Sequence, residues 1–177
     1  MKSLTCFFAL ILLSCNTSNC PITNTKGYPN NININYLVDE VVSIESRNDF
    51  LNFLETYKNI LYPFYEIQDT LNLDSKINNI YSLVDNIYFD SLYFDVRNEF
   101  GNQKQLFLNL DHAIGIYNST SKQKINPKIT LLLSGFYNDI VVDKENIVLG
   151  VDYFLNKENK FNPRNFPLYV LERYTPQ

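Results

Sequence analysis

Two short apolar runs in the C-terminal third of the chain limit the folds open to it most strongly. Residues 129–133 (ITLLL) form the first run, and residues 147–151 (IVLGV) form a second one of the same length. A strand that is apolar along its whole length must be covered on both faces. Residues 140–142 (IVV) precede the second run, and the turn residues 143–146 (DKEN) between them predict a β-hairpin. The sequence therefore predicts a small sheet that upstream helices cover.

The chain upstream of these runs begins with a strand pattern and continues with a helical one. Residues 32–36 alternate between apolar side chains and Asn, which predicts a strand, and the apolar residues 37–44 either extend it or bend away. Apolar residues then recur at helical spacing, which predicts about four helices. The four predicted helices cover residues 47–61, 74–84, 90–100 and 103–119. The predicted fold class is α+β, a helix-rich domain with a small sheet that includes a C-terminal hairpin.

Several residues predict where these helices begin and end. Ser46 is the predicted N-cap of the first helix, with Asp49 at its third position, and Pro63 is predicted to interrupt the apolar stripe. Asp90 is the predicted cap of the third helix, and Gly101 is its predicted left-handed C′ residue. The predicted inward face of the fourth helix comprises Leu106, Leu110, Ala113, Ile114 and Tyr117.

The first fifteen residues indicate a lipoprotein signal peptide. Lys2 precedes an apolar run of about ten residues, which is too short for a transmembrane helix of ~20 residues. Residues 12–15 (LLSC) match a bacterial lipobox, so we expect cleavage of residues 1–14 and attachment of fatty acids such as palmitate to Cys15. The alternatives are a plain signal peptide with a coincidental cysteine and a buried N-terminal helix. Residues 15–31 then form a flexible tether, and residues 32–177 form the α+β domain.

Charge and the residues near the anchor bear on partners and location. The chain has 15 Lys and Arg against 19 Asp and Glu, a net charge of −4. Such an acidic chain is not expected to bind nucleic acid, whose phosphates require clustered basic residues. The expected contact with a membrane is through the lipid. Residues 16–20 contain no acidic cluster resembling a surface-export signal, which favours a periplasm-facing position.

No residue pattern in the chain predicts catalysis. His112 is the only histidine, so a zincin motif with two histidines is excluded, and we expect a structural or surface role for it. Ser134 precedes a glycine but lacks the Gly-x-Ser-x-Gly elbow of a nucleophile. Asp143, Glu145 and Asp152 are weak candidates for acid–base work, since the first two fall in a turn and the third could cap the next segment. We therefore expect no enzyme activity, no cofactor and no metal.

Three C-terminal segments together resemble a known family. Residues 129–136 (ITLLLSGF), 147–155 (IVLGVDYFL) and 166–174 (FPLYVLERY) are similar in order and spacing to the gliding-motility lipoprotein family GldB of Bacteroidetes. The upstream order of lipobox, tether, alternating strand and residues 49–54 (DFLNFL) is similar too. The family-like motif residues are Ser134, Gly135, Phe136, Gly150, Asp152, Pro167 and Tyr169.

The resemblance implies a function, and this chain departs from the family pattern in two respects. It implies a membrane-anchored lipoprotein of the gliding-motility and type IX secretion apparatus that acts by protein–protein contact with envelope partners. The alternatives are the N-terminal part of a zinc-peptidase-like envelope protein and a generic ligand-binding lipoprotein. Family members continue beyond the position of Gln177 into a helical second half, so the domain is expected to be incomplete at its C-terminus. Asn156 stands where the family often has a glycine.

Overall fold

The computed structural model describes residues 32–67, 72–101, 103–143 and 145–155, together with Lys160, Phe161, Pro167 and Tyr174. In these residues the chain forms six α-helices and a four-stranded sheet, which confirms the predicted α+β class. In chain order the elements are β1 Asn33–Tyr36, α1 Val38–Val42, α2 Arg47–Thr56, α3 Lys58–Phe64, α4 Leu73–Val84, α5 Phe89–Phe100, α6 Gln103–Thr120, β2 Lys128–Leu132, β3 Ile140–Val142, β4 Asn146–Gly150 and a 3₁₀-helix Val151–Phe154.

The sheet is mixed, with strand order β1-β2-β4-β3. Strands β1, β2 and β4 are parallel, and Ile129 of β2 lies opposite Ile34 of β1 and Ile147 of β4. Strand β3 is antiparallel to β4, with Val141 opposite Val148. The predicted hairpin of β3 and β4 is therefore confirmed. Strand β2 is the parallel neighbour of β4 on the side away from β3.

The central strand β2 is covered on both faces. Ile129, Thr130, Leu131 and Leu132 are all buried, although their side chains alternate between the faces of the sheet. Helix α1 contacts β2, helix α3 contacts β4, and helix α5 contacts the 3₁₀-helix. The apolar residues of the sheet and the helices form one hydrophobic core. The apolar run at residues 129–133 therefore correctly predicted a strand that is covered on both faces.

The segment between β1 and α4 forms three helices in its described part, α1, α2 and α3. After β1 the chain bends away and forms α1, which resolves the two alternatives left open for residues 37–44. The predicted N-cap is confirmed, because the Asp49 N–H donates to Ser46 Oγ at 3.2 Å. Pro63 was predicted as the interruption, but it lies within α3. The break is at Tyr57, which has φ −111° and ψ 25° and whose hydroxyl donates to Glu40 Oε2 at 2.6 Å.

Two predicted helix termini were wrong. Helix α5 begins at Phe89, one residue before Asp90, because the Asn86 side chain and carbonyl already accept the N–H groups of Tyr88 and Phe89. Asp90 lies in the first turn instead, where a carboxylate interacts favourably with the helix dipole. Gly101 has φ −63°, so it is in the right-handed region and is not a left-handed C′ residue.

Helix α6 has no single apolar face. Leu106 and Leu110 pack against the core as predicted, but Ala113 and Tyr117 are exposed. The prediction failed because α6 carries apolar residues on more than one face. Leu108 lies on another face and is exposed as well. Helical spacing alone therefore could not assign its buried side.

Candidate functional site

The residues that follow strands β2 and β4 meet at one edge of the sheet. The two strands are parallel neighbours, and Leu132 lies opposite Gly150 at their carboxyl ends. Ser134 and Asp152 each lie two residues further along the chain. This edge is where ligands commonly bind to parallel sheets. The candidate site, called the Ser134–Asp152 cluster, consists of Ser134, Gly135, Phe136, Gly150 and Asp152.

The carboxylate of Asp152 is buried at the centre of the cluster and accepts three hydrogen bonds. Asp152 is only 1% exposed to solvent. Oδ1 accepts the Ser134 N–H at 2.8 Å, and Oδ2 accepts Ser134 Oγ at 2.9 Å and the Phe136 N–H at 2.5 Å. Burial raises the pKa of Asp152, while the hydrogen bonds from Ser134 and Phe136 act in the opposite direction. Both oxygens are thus bonded to one turn and shielded from water, an arrangement suited to holding that turn.

The turn that Asp152 holds contains two successive residues in the left-handed region. Gly135 has φ 65°, and Phe136 has φ 61°. A bulky non-glycine residue at positive φ is uncommon and costs free energy. Phe136 is held there by its bond to Asp152, by the Tyr153 hydroxyl that donates to its carbonyl oxygen at 2.6 Å, and by an edge-on contact between the two rings at 5.4 Å.

Gly150 allows β4 to approach the same turn closely. A Cβ atom at this position would lie 2.1 Å from the carbonyl oxygen of Asn138 and 2.9 Å from Ser134 Oγ. The Gly150 N–H also donates to the carbonyl oxygen of Asp139 at 2.7 Å. Only glycine fits this contact without a shift of the backbone.

Tyrosines surround the cluster and connect it to α3. The Tyr137 hydroxyl donates to the carbonyl oxygen of Tyr65 at 3.0 Å, and the two rings are 5.1 Å apart. Burial raises the pKa of Tyr65, and burial raises that of Tyr153 to about 12, with the charge of Asp152 adding to both shifts. The hydroxyl of Tyr65 is buried and has no hydrogen-bond partner in the described part of the chain. The phenols of Tyr65 and Tyr153 therefore stay neutral at physiological pH and serve as packing or hydrogen-bonding groups.

A small apolar cavity lies beside the turn. It has a volume of about 200 Å³ and is formed by Gly135, Phe136 and residues of α4, α5 and the loop between them, with Phe161 on one side. No charged side chain lines it among the described residues. The cavity could hold a small apolar group.

The structure brings together five of the seven motif residues expected from the sequence, namely those of the cluster itself. Pro167 is exposed, and Tyr169 and Cys15 lie outside the described residues. Sequence reasoning missed Tyr137 and Tyr153, although each directly neighbours a motif residue. It also suggested that Asp152 caps the following segment, whereas the carboxylate bonds back to the turn after β2.

The other candidate residues, His112, Asp143 and Glu145, lie outside the Ser134–Asp152 cluster. His112 is exposed on α6. Asp143 and Glu145 lie in the turn between β3 and β4, where Asp143 accepts the Glu145 and Asn146 N–H groups, and the first of these bonds lowers its pKa most. Over the described ranges, no three His, Cys, Asp or Glu side chains are grouped to bind a metal. In those same ranges no helix has the length and apolar character needed to cross a membrane.

Comparison with known proteins identifies the family. No curated protein and no solved structure matches the chain. The model of the family described as gliding motility protein GldB matches residues 19–177, which is far more than half of the 177 residues. The match includes every residue of the Ser134–Asp152 cluster. The chain therefore belongs to the GldB family of gliding-motility lipoproteins.

Proposed function

We propose that this chain is a lipid-anchored component of the gliding-motility and type IX secretion apparatus that works through protein contacts in the cell envelope. The observation that carries the proposal is the family match over residues 19–177, which begins shortly after the lipobox cysteine Cys15. The matched region contains the whole described domain. A role in motility is therefore proposed for this domain and not for an appended segment.

The geometry of the Ser134–Asp152 cluster supports contact rather than catalysis. A general acid or base must reach a substrate proton, directly or through one water molecule. Asp152 is buried and its two oxygens accept hydrogen bonds from the turn, so a substrate would first have to displace them. The cluster joins the ends of β2 and β4 by hydrogen bonds, and we propose that it holds this part of the sheet in place for protein contact.

The proposed anchor is the set of acyl chains on Cys15. Each buried CH₂ group contributes ~0.8 kcal/mol to membrane binding, and a stable anchor requires more than one chain. The residues that follow Cys15 contain no acidic cluster, and we propose a periplasm-facing position on this basis.

The test is complementation of a strain that lacks the gene. Wild-type protein should restore spreading on agar and type IX secretion, and Cys15→Ser should restore neither because the protein leaves the membrane fraction. Cys20→Ser is the matched control, since it removes the other cysteine near the anchor and should behave like wild type.

Two results would contradict the proposal. A deletion strain with unchanged spreading and unchanged secretion would exclude the motility function. Fatty-acid labelling that persists in Cys15→Ser would exclude the proposed anchor residue while leaving the motility function open to the first measurement.

A further inference from the structure

Strand β3 forms one free edge of the sheet among the described residues. It is the last strand in the order β1-β2-β4-β3, and β4 is its only partner strand in that part of the chain. Its side chains Ile140 and Val142 are 45% and 66% exposed, although both are apolar and β-branched. An exposed edge with apolar side chains is a template for pairing with another strand.

The hydrogen bonds between β3 and β4 show which backbone groups point outward. Asp143 donates to the carbonyl oxygen of Asn146 at 3.0 Å, and Gly150 donates to that of Asp139 at 2.7 Å. Bonded pairs alternate along an antiparallel ladder, so residues 139, 141 and 143 face β4. The backbone groups of Ile140 and Val142 therefore face away from the sheet.

Three of these four outward groups are open for pairing. The N–H of Ile140 donates to Asp139 Oδ1 at 2.7 Å. The carbonyl of Ile140 and both backbone groups of Val142 have no bond to any other described residue. Their spacing along the edge matches the backbone of an extended chain.

We propose that this edge binds an extended segment of a partner protein, which pairs antiparallel with Ile140–Val142 as a fifth strand. The inference rests on the proposed function, since it names the surface through which contacts are made. One partner residue exchanges two backbone hydrogen bonds with Val142, and the residue two positions later donates its N–H to the Ile140 carbonyl.

The charges at the ends of β3 select the partner. Asp139 precedes the strand and accepts the Ile140 N–H and the Tyr174 hydroxyl, and Asp143 follows it and accepts bonds from Glu145 and Asn146. These bonds bring no counter-charge, since neither carboxylate is in a salt bridge with a described residue. Directly opposite residues on paired strands attract when their charges are opposite. The matching segment therefore carries apolar residues opposite Ile140 and Val142 and a Lys or Arg opposite each aspartate.

The same charges disfavour a second copy of this chain as the occupant. Antiparallel pairing of two β3 edges would place Asp139 of each copy opposite Asp143 of the other, and like charges in these positions are destabilising. A three-residue edge also buries far less than the about 1,200 Å² of a stable interface.

The test measures binding of a fluorescent peptide to the full chain purified in detergent. The probe is Lys-Val-Thr-Val-Lys with a Gly-Ser linker to the dye, followed by fluorescence anisotropy. We expect saturable binding that Val142→Pro weakens at least about fivefold, because proline removes the outward N–H. Val142→Thr, which keeps the N–H and the β-branch, is the matched control and should bind like wild type.

Two further peptides test the proposal without altering the protein. N-methylation of the first valine, which removes the N–H that bonds to the Val142 carbonyl, should abolish binding. Glu-Val-Thr-Val-Glu should bind more weakly than the basic peptide. Equal binding of all three peptides, or no saturable binding of the basic one at about 1 mM, would overturn the proposal.

Two other outcomes separate this inference from the proposed function. A dimer in sedimentation that Val142→Pro dissolves would identify a second copy as the occupant and overturn the proposal. In the deletion strain, spreading restored by Val142→Pro but not by Cys15→Ser would overturn the edge contact and leave the motility function intact.

Discussion

Ser134 and Asp152 are 18 residues apart in the chain, yet two hydrogen bonds join them where β2 and β4 end. The bonds connect the ends of two parallel strands whose intervening segment forms the edge strand β3. The contact therefore fixes the spacing between the central strand and the hairpin. It also explains how Phe136 keeps its left-handed backbone, since Asp152 accepts its N–H as well.

Truncation of Asp152 should destabilise the fold strongly. Asp152→Ala leaves the buried N–H of Ser134 and the partly buried N–H of Phe136 without acceptors, and each unsatisfied buried donor costs ~1–3 kcal/mol. We expect the free energy of unfolding to fall by about 3 kcal/mol or more. Urea denaturation of lipid-free protein beginning at residue 16, followed by circular dichroism, measures it.

Ser134→Ala is the control for this prediction. It removes one hydroxyl and keeps the backbone bond to Asp152, so we expect a loss of about 1 kcal/mol. If Asp152→Ala were no more destabilising than Ser134→Ala, the carboxylate would not be the centre of the cluster.

A methyl group at Gly150 should disrupt the contact between β4 and the turn. Gly150→Ala would place its Cβ 2.1 Å from the Asn138 carbonyl oxygen, which belongs to the backbone and cannot rotate away. We expect a loss of about 2–3 kcal/mol, in the upper part of the range for overpacking in a filled core. Thermal unfolding measures it, and an unchanged midpoint would show that the turn moves freely.

A matched substitution distinguishes crowding from backbone strain. Gly135→Ala also meets a neighbour, Leu83 Cβ at 3.0 Å, but its main cost is the left-handed backbone. That conformation costs a non-glycine residue roughly 1–2 kcal/mol. Gly135→Asn, which tolerates this region better, should recover part of the loss, whereas Gly150→Asn should not.

Loss of the N-cap at Ser46 should weaken helix α2. Ser46→Ala removes the oxygen that accepts the Asp49 N–H, and N-cap serines contribute ~1 kcal/mol. Urea denaturation should show a decrease of that size. Ser82→Ala is the control, because Ser82 is within α4 and donates only to the Asn79 carbonyl, so no decrease is expected there. Equal effects at both sites would contradict a specific capping role.

Local features of the fold could be predicted from the sequence, whereas contacts between distant segments could not. The hairpin, the doubly covered strand and the Ser46 cap depend on neighbouring residues, and the structure confirms each. The bond between Ser134 and Asp152 depends on β2 lying beside β4, and no periodicity reveals which strands become neighbours. The motif residues were recognised from their order and spacing. That they join the ends of β2 and β4 could be seen only in the folded structure.

Errors at helix ends have a related cause. Asp90 and Gly101 are residue types that commonly occur at helix termini, but Asn86 starts α5 earlier, and Gly101 keeps a right-handed backbone. Residue type gives a preference at these positions, and contacts with neighbouring residues decide the outcome.

The pH dependence of stability should identify Asp152 as a carboxyl group whose pKa is raised. Burial raises its pKa in the folded protein above the unfolded value of about 3.9. Between these two pKa values the folded protein holds more protons than the unfolded one, so the free energy of unfolding falls as pH rises through this window. Stability contributed by the protonated group is complete below the unfolded pKa and is lost above the folded one.

The difference in unfolding free energy between wild type and Asp152→Asn should therefore decrease as pH rises above about 4. Asp143→Asn provides a control of opposite sign. Hydrogen bonds from Glu145 and Asn146 lower the pKa of Asp143, so its contribution is present above the unfolded pKa and is lost as pH falls through the folded one. Urea denaturation at several pH values measures both differences. A wild-type profile parallel to that of Asp152→Asn would mean that the carboxyl group of Asp152 has an ordinary pKa, because its three hydrogen bonds balance the effect of its burial.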